Sequence, residues 1–183
     1  MDVKILVPVA NGTEDMEAAI IIDMLRRAGI QVKVAGENEI ITCARGIKLI
    51  PDLLLESINE DDEYDAIVIP GGQQGVFNLN RNEYLLSILK KHKEKNILFC
   101  AICAAPTLLV QQKMAPLNSF ITSHPSVKDQ FEGYQYVEED VVEDGYIITS
   151  RGAGTAFEFS LHIIEKFCGS ETADKISRDI VLQ

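Results

Sequence analysis

The residues most able to do chemistry lie in FCAICAAP (99–106), where Cys100 and Cys103 stand three apart. Such a pair could be a redox couple, half of a metal site, or one reactive thiol beside a bystander. The apolar run NILFCAI (96–102) reads as a central strand through Cys100. Residues three apart on a strand point to opposite faces and lie about 10 Å apart. That exceeds the Cα limit of about 7 Å for a disulfide. Cys100 is then a core residue, and Cys103 falls at the turn into the next helix. A metal site has less support, because no second CxxC exists and His92, His124 and His162 show no ligand spacing. A thiol at a helix start faces unpaired amides and the positive end of the dipole, which lower its pKa. Ala104 and Ala105 leave room for a ligand above the sulfur, and Pro106 suits a first helical turn. The turn resembles a hydrolase nucleophile elbow with cysteine in place of serine.

Partners for that thiol come from other strand ends. Glu17 sits among Met16, Ala18 and Ala19, so it is expected to point inward. A buried carboxyl has a raised pKa and can shuttle a proton. Glu14 and Asp15 are expected to complement the helix dipole on a solvated turn. Gly71 and Gly72 follow Pro70; they read either as a plain turn or as backbone amides for a developing oxyanion. His124 precedes Pro125, where a polar loop residue and a catalytic imidazole are both compatible with the sequence. His162 and Cys168 read as core or helix-end residues. RGAGTAF (151–157) has Phe157 where a dinucleotide fingerprint needs glycine, and PGGQQG lacks the Lys-Ser/Thr of a phosphate loop. No cofactor and no metal are expected.

The elements that position these residues alternate between strand and helix. VKILVPV (3–9), QVKVA (31–35), YDAIVIPGG (64–72), NILFCAI and SFITS (119–123) read as strands. EIITCA and GIKLI (39–50) form a hairpin-like excursion, and YVEED is expected to pair with YIITS within 136–150. Helices are expected at 14–29, 82–95, 104–113, 157–169 and over TADKISRDIV. On the first helix, Met16, Ala19, Ile20, Met24 and Ala28 fall at helical spacing, and Gly29 is a stop signal. The pattern implies α/β architecture with a mostly parallel sheet and helices on both faces, in a single domain over 1–183. In such sheets chemistry gathers where strands end and helices begin.

Composition sets the outer bounds. The chain has 183 residues with a formal net charge of -11, which disfavours binding to nucleic acid or an anionic membrane. MDVKILVPV has no basic leader and is interrupted by Pro8, so it does not read as a signal peptide. No run is long enough to span a bilayer. Four cysteines in this length are not a disulfide scaffold, and a cytoplasmic location is expected.

Seven segments in order carry a resemblance: NGTEDME (11–17), DMLRRAGIQVKVAG (23–36), CARG (43–46), YDAIVIPGG, AICAAPTLL (102–109), TSHP (122–125) and TSRGAGTAFEF (149–159). Together they resemble the DJ-one family of the ThiJ/PfpI superfamily, nearly end to end. The resemblance implies a flavodoxin-like (class I glutamine amidotransferase-like) sandwich and a homodimer. It implies that Cys103 is the reactive cysteine, Glu17 its hydrogen-bonded acid, Gly71 and Gly72 an oxyanion pocket, and His124 a nearby histidine. Implied activities are glutathione-independent glyoxalase or deglycase action on small dicarbonyls or their glycated adducts. Oxidative-stress sensing or chaperone action through a Cys103 sulfinate is the alternative. The peptidase branch carries histidine after the nucleophile; Ala104 stands there, so peptidase activity is not expected. Residue 50, a cysteine in some animal members, is isoleucine.

Overall fold

The computed structural model describes residues 3–59 and 62–182; Met1 and Asp2 of the opening segment lie outside them. In chain order the strands are β1 (Lys4–Val9), β2 (Gln31–Gly36), β3 (Ile41–Thr42), β4 (Lys48–Leu49), β5 (Leu53–Leu54), β6 (Ala66–Ile69), β7 (Leu98–Ile102), β8 (Phe120–Ile121), β9 (Gln135–Tyr136), β10 (Val141–Asp144) and β11 (Ile147–Ser150). The α-helices are α1 (Asp15–Arg27), α2 (Gln73–Leu79), α3 (Glu83–Glu94), α4 (Pro106–Gln111), α5 (Ala156–Cys168) and α6 (Ser170–Asp179).

Among the described residues, one sheet runs in the order β10-β11-β7-β6-β1-β2-β5. All its neighbours are parallel except β10 and β11. Taken in chain order, the longer parallel strands β1, β2, β6, β7 and β11 are arranged 2-1-3-4-5, which is the flavodoxin-like order. The order reverses between β1 and β6, and a ligand crevice is expected beyond the carboxyl ends there.

Alternation along the strands builds two cores. Ile5, Val7, Val68, Cys100 and Ile102 face one side, against Ile21 and Leu25 of α1 and Phe159 and Ile163 of α5. Leu6, Ile67, Ile69, Phe99 and Ala101 face the other, against Val76 of α2, Leu85 and Leu89 of α3 and Leu108 of α4. Strands buried on both sides explain the unbroken apolar runs at 66–69 and 98–102.

Several expectations need correction. On α1 the packed stripe is Glu17, Ala18, Ile21, Met24 and Leu25, whereas Met16 and Ala19 are exposed. The run AAIII is apolar on every side, so spacing alone could not choose the stripe. The antiparallel partner of 147–150 is Val141–Asp144, not YVEED; Tyr136 instead joins β9, parallel to β8. His162 is no core residue: its Nε2 lies 2.6 Å from Glu143 Oε2 on the surface, where Lys166 shares the same carboxylate. Cys168 is the last residue of α5. The excursion at 39–50 does form an antiparallel pair, β3 with β4.

Candidate active site

Three strand ends meet at the switch point. The turn after β1 leads through Glu14 into α1, the turn after β6 carries Gly71 and Gly72, and the turn after β7 carries Cys103. Glu14 caps α1 by accepting from the Glu17 amide at 2.8 Å through its side chain. The Glu14 amide donates to Gly71 O at 2.9 Å, tying the first turn to the second. Glu17 then projects from the first turn of the helix inward and is 1% exposed.

Cys103 stands on a strained backbone. Its φ is +65°, a left-handed conformation that costs a non-glycine residue about 1–3 kcal/mol. Its own peptide groups hold it there: the amide donates to Ser150 O at 3.0 Å, and the carbonyl accepts from the His124 amide at 2.9 Å. Helix α4 begins only at Pro106, so the thiol lies on the strand-to-helix elbow and not within the helix's first turn. Cys100, three residues back, is fully buried, and all four cysteines are free thiols.

Glu17 and Cys103 face one another across the position where Gly71 lacks a side chain. A Cβ on Gly71 would lie 2.5 Å from Cys103 Cβ and 2.6 Å from Glu17 Oε2. Glu17 Oε2 accepts from the Gly71 amide at 2.7 Å. This corrects the expectation for Gly71: its N–H is taken by Glu17 and is not free for an oxyanion. The amides that face the sulfur are those of Gly72 and Ala104. Gly72 has φ +90°, and a Cβ there would lie 2.2 Å from Gly12 O, so no larger residue fits.

The other oxygen of Glu17, Oε1, is buried and meets no N–H or hydroxyl among the described residues; the Cys103 thiol is a polar group against the carboxyl. Burial, opposed in part by the Gly71 and Cys103 hydrogen bonds, raises the Glu17 carboxyl to about 7. Burial first, and the Glu17 charge second, push the Cys103 thiol up to about 12, against the Gly72 and Ala104 amides, which lower it. The expected depression of the thiol by the helix start is therefore overturned: desolvation and a neighbouring carboxylate outweigh the amides. The two groups titrate as a pair, and the thiolate is favoured when the carboxyl holds the proton.

The pair lies at a cleft of about 730 Å³ that also reaches Cys43, Arg45, Ala104, His124 and Ser126. Ala104 stands on the cleft wall, whereas Ala105 is fully buried in the second core and lines nothing. His124 is exposed at the rim. Asp15, expected on a solvated turn, is 5% exposed instead. Its two oxygens accept from the Arg45 amide at 2.7 Å and the Ile47 amide at 2.9 Å, which fastens the β3–β4 loop to the start of α1. Sequence reasoning missed Asp15, Cys43, Arg45 and Ser126. The available signal was CARG between two short strand-like runs, a loop too far along the chain to be placed by periodicity. Among the described residues no group of three or more His, Cys, Asp or Glu could hold a metal ion. No helix among them is long and apolar enough to cross a membrane.

The sequence pattern of the DJ-1/PfpI family matches residues 3–166. The Parkinson disease protein 7 homolog of Danio rerio is 40% identical over 185 residues, covering 98% of this chain and 97% of its own. The glutathione-independent glyoxalase DJR-1.2 of Caenorhabditis elegans is 35% identical over 181 residues, covering 97% of this chain and 95% of its own. The crystal structure of Drosophila melanogaster DJ-1beta superposes with a TM-score of 0.94 at 39% identity, over 99% of this chain and 98% of that one. Sequence, topology and the elbow thiol agree, and the chain belongs to the DJ-1/PfpI family.

Proposed function

We propose that the protein is a cysteine-dependent, glutathione-independent glyoxalase that converts methylglyoxal or glyoxal to the 2-hydroxy acid. The observation that carries the reading is the buried Glu17 carboxyl, one oxygen unpartnered, against the Cys103 thiol on a strained elbow. A carboxyl near 7 is half ionised at neutral pH, which suits a group that must both take and return a proton. The thiol need not be ionised beforehand. Glu17 takes its proton as sulfur attacks the aldehyde carbon, and the new C–S bond gives a hemithioacetal whose oxyanion the Gly72 and Ala104 amides stabilise. Glu17 returns that proton to the oxyanion, giving the neutral hemithioacetal. As a carboxylate again, it takes the hydrogen from that carbon and delivers it to the neighbouring carbon through an enediol, leaving a thioester. Water cleaves the thioester, returning the thiol and releasing the acid. Deglycation would use the same first step on an early adduct. No oxidant enters, because one carbon is oxidised as the next is reduced. The test is lactate formed from methylglyoxal by wild type and by Cys103→Ser; equal rates sink the reading.

The assembly we propose is a homodimer in a reducing, cytoplasmic setting. Free cysteines support the setting. Exposed Met16, Ile47 and Ile50 around the Asp15-fastened loop support a second copy packing there. Sedimentation should return the mass of two chains; the mass of one overturns the dimer.

A further inference from the structure

The imidazole at the cleft rim is held by a neighbour that no motif singles out. His124 caps the 3-10 turn Pro125–Gln130. Its Nδ1 lies 3.2 Å from the Ser126 amide and 2.8 Å from Ser126 Oγ. A backbone N–H can only donate, so Nδ1 accepts, and a neutral ring must carry its hydrogen on Nε2. The Ser126 hydroxyl adds a second donor to the same nitrogen. Gly152 lies between Glu17 and the Cδ2 edge of the ring, which is adjacent to Nε2. A Cβ on Gly152 would lie 3.5 Å from His124 Cδ2 and 4.0 Å from Glu17 Oε1. Among the described residues Nε2 makes no hydrogen bond.

We propose that Ser126 is a positioning residue that locks His124 in the Nε2–H tautomer, so that the imidazole offers the cleft a donor and not a base. The oxygen it serves is the second carbonyl oxygen of a 1,2-dicarbonyl joined to Cys103. That assignment rests on the glyoxalase reading; the tautomer does not. The division of labour follows from the partners on each side. Glu17, with Oε1 bare, is the group able to accept a proton. The Gly72 and Ala104 amides meet the first oxygen, and His124 Nε2–H meets the second. A donor at the second oxygen stabilises the enediolate formed when Glu17 removes the carbon-bound hydrogen.

The tautomer is read on the protein alone, from two-bond proton–nitrogen correlations of the 15N-labelled imidazole at alkaline pH. A bare Nδ1 and a protonated Nε2 are expected; the reverse overturns the proposal even if methylglyoxal proves not to be a substrate, which by itself sinks only the glyoxalase reading. Ser126→Ala should move both ring nitrogens toward the tautomeric average and lower kcat/KM about threefold, and Ser126→Thr should restore both. Unchanged resonances in Ser126→Ala overturn the role of the hydroxyl. His124→Gln places an amide N–H where Nε2 stood, so its kcat/KM should exceed that of His124→Ala about tenfold. Equal loss in the two variants marks His124 as a base and overturns the donor role.

Discussion

Cys100 and Cys103 differ by one turn of backbone, and that turn separates a packing residue from a reactive one. Cys100 lies mid-strand with Val68 and Ile148 beside it in register, fully buried, its thiol pushed well up by desolvation. Cys103 is also largely desolvated, yet it stands on a left-handed elbow with two amides and a carboxyl against its sulfur. Depth alone does not distinguish them. What distinguishes them is a proton acceptor within reach, since a buried thiol without one has nowhere to send its proton.

The sharpest way to break this contrast is to remove each sulfur in turn. Cys103→Ser should lower kcat/KM for methylglyoxal by about a thousandfold or more, because a hydroxyl is a far weaker nucleophile in the same place. The same substitution at Cys100 should leave kcat/KM within about twofold. Comparable losses in the two would erase the distinction.

Glu17→Gln tests the acceptor. It keeps an oxygen for the Gly71 amide but cannot take a proton, so kcat should fall by about 10²–10⁴. In wild type, kcat/KM should drop as pH falls below about 7, where the carboxyl protonates, and the variant should lose that limb. Stability should show the opposite sign. The carboxyl's folded pKa of about 7 lies above its ordinary 4.5, so between those values the folded chain holds a proton that the unfolded chain releases. The Glu17 contribution to stability is therefore full below 4.5 and is lost as pH rises to about 7, by up to about 3 kcal/mol. Glu17→Gln, neutral throughout, should lack the decline. Thermal melts across that window check it, and an equal slope in both proteins would show that Glu17 is not buried as described.

Much of this arrangement was readable without coordinates, and the failures share a cause. Strands 98–102 and 66–69, and the placing of Cys103 at a turn, follow from two-sided burial and length. Glu17 does point inward as expected, yet Met16 and Ala19, two of the three neighbours behind that expectation, are exposed, so the sheet and not the neighbours decides its aim. The stripe on α1 was misplaced because Met16, Ala19 and Ile20 are as apolar as Ala18, Ile21 and Leu25, and only the sheet decides between them. The fate of the Gly71 amide and the clamp of Asp15 on Arg45 and Ile47 depend on contacts between turns 30 to 54 residues apart. No local pattern encodes such contacts. The thiol pKa departs from expectation for a related reason: the dipole argument is local, while the burial that chiefly opposes it, and the carboxylate that adds to it, come from other strand ends.

The glycine pair sharpens the comparison further, because two adjacent glycines are required for different reasons. Gly72→Ala meets backbone, Gly12 O at 2.2 Å, and adopts φ +90°. Neither can yield, so about 3 kcal/mol of stability should be lost. Gly71→Ala meets Cys103 Cβ at 2.5 Å, Glu17 Oε2 at 2.6 Å and, less closely, the backbone oxygen of Ile102 at 2.9 Å. Of these the Glu17 carboxylate can swing away, so stability should fall by about 1–3 kcal/mol, while kcat/KM drops about a hundredfold as the pair separates. Denaturant midpoints and turnover, measured together, should rank Gly72→Ala as the less stable and show that Gly71→Ala loses activity while still folded. A Gly71→Ala protein with full turnover would mean that the thiol and carboxyl need not touch.

The smallest expected effect concerns Cys100 itself. Cys100→Ala leaves a small void among Val68, Ile102 and Ile148, at a cost of about 1 kcal/mol. Cys100→Ser fills most of that void but buries a hydroxyl in an apolar layer, and should cost about 1–3 kcal/mol. The serine variant should therefore melt lower than the alanine variant by a few degrees. A bystander thiol gives this order, in which polarity matters more than volume. A thiol engaged with a polar partner would give the reverse, because serine could keep the bond that alanine loses. The order of two melting temperatures thus tests whether the first cysteine of FCAICAAP is only part of the core.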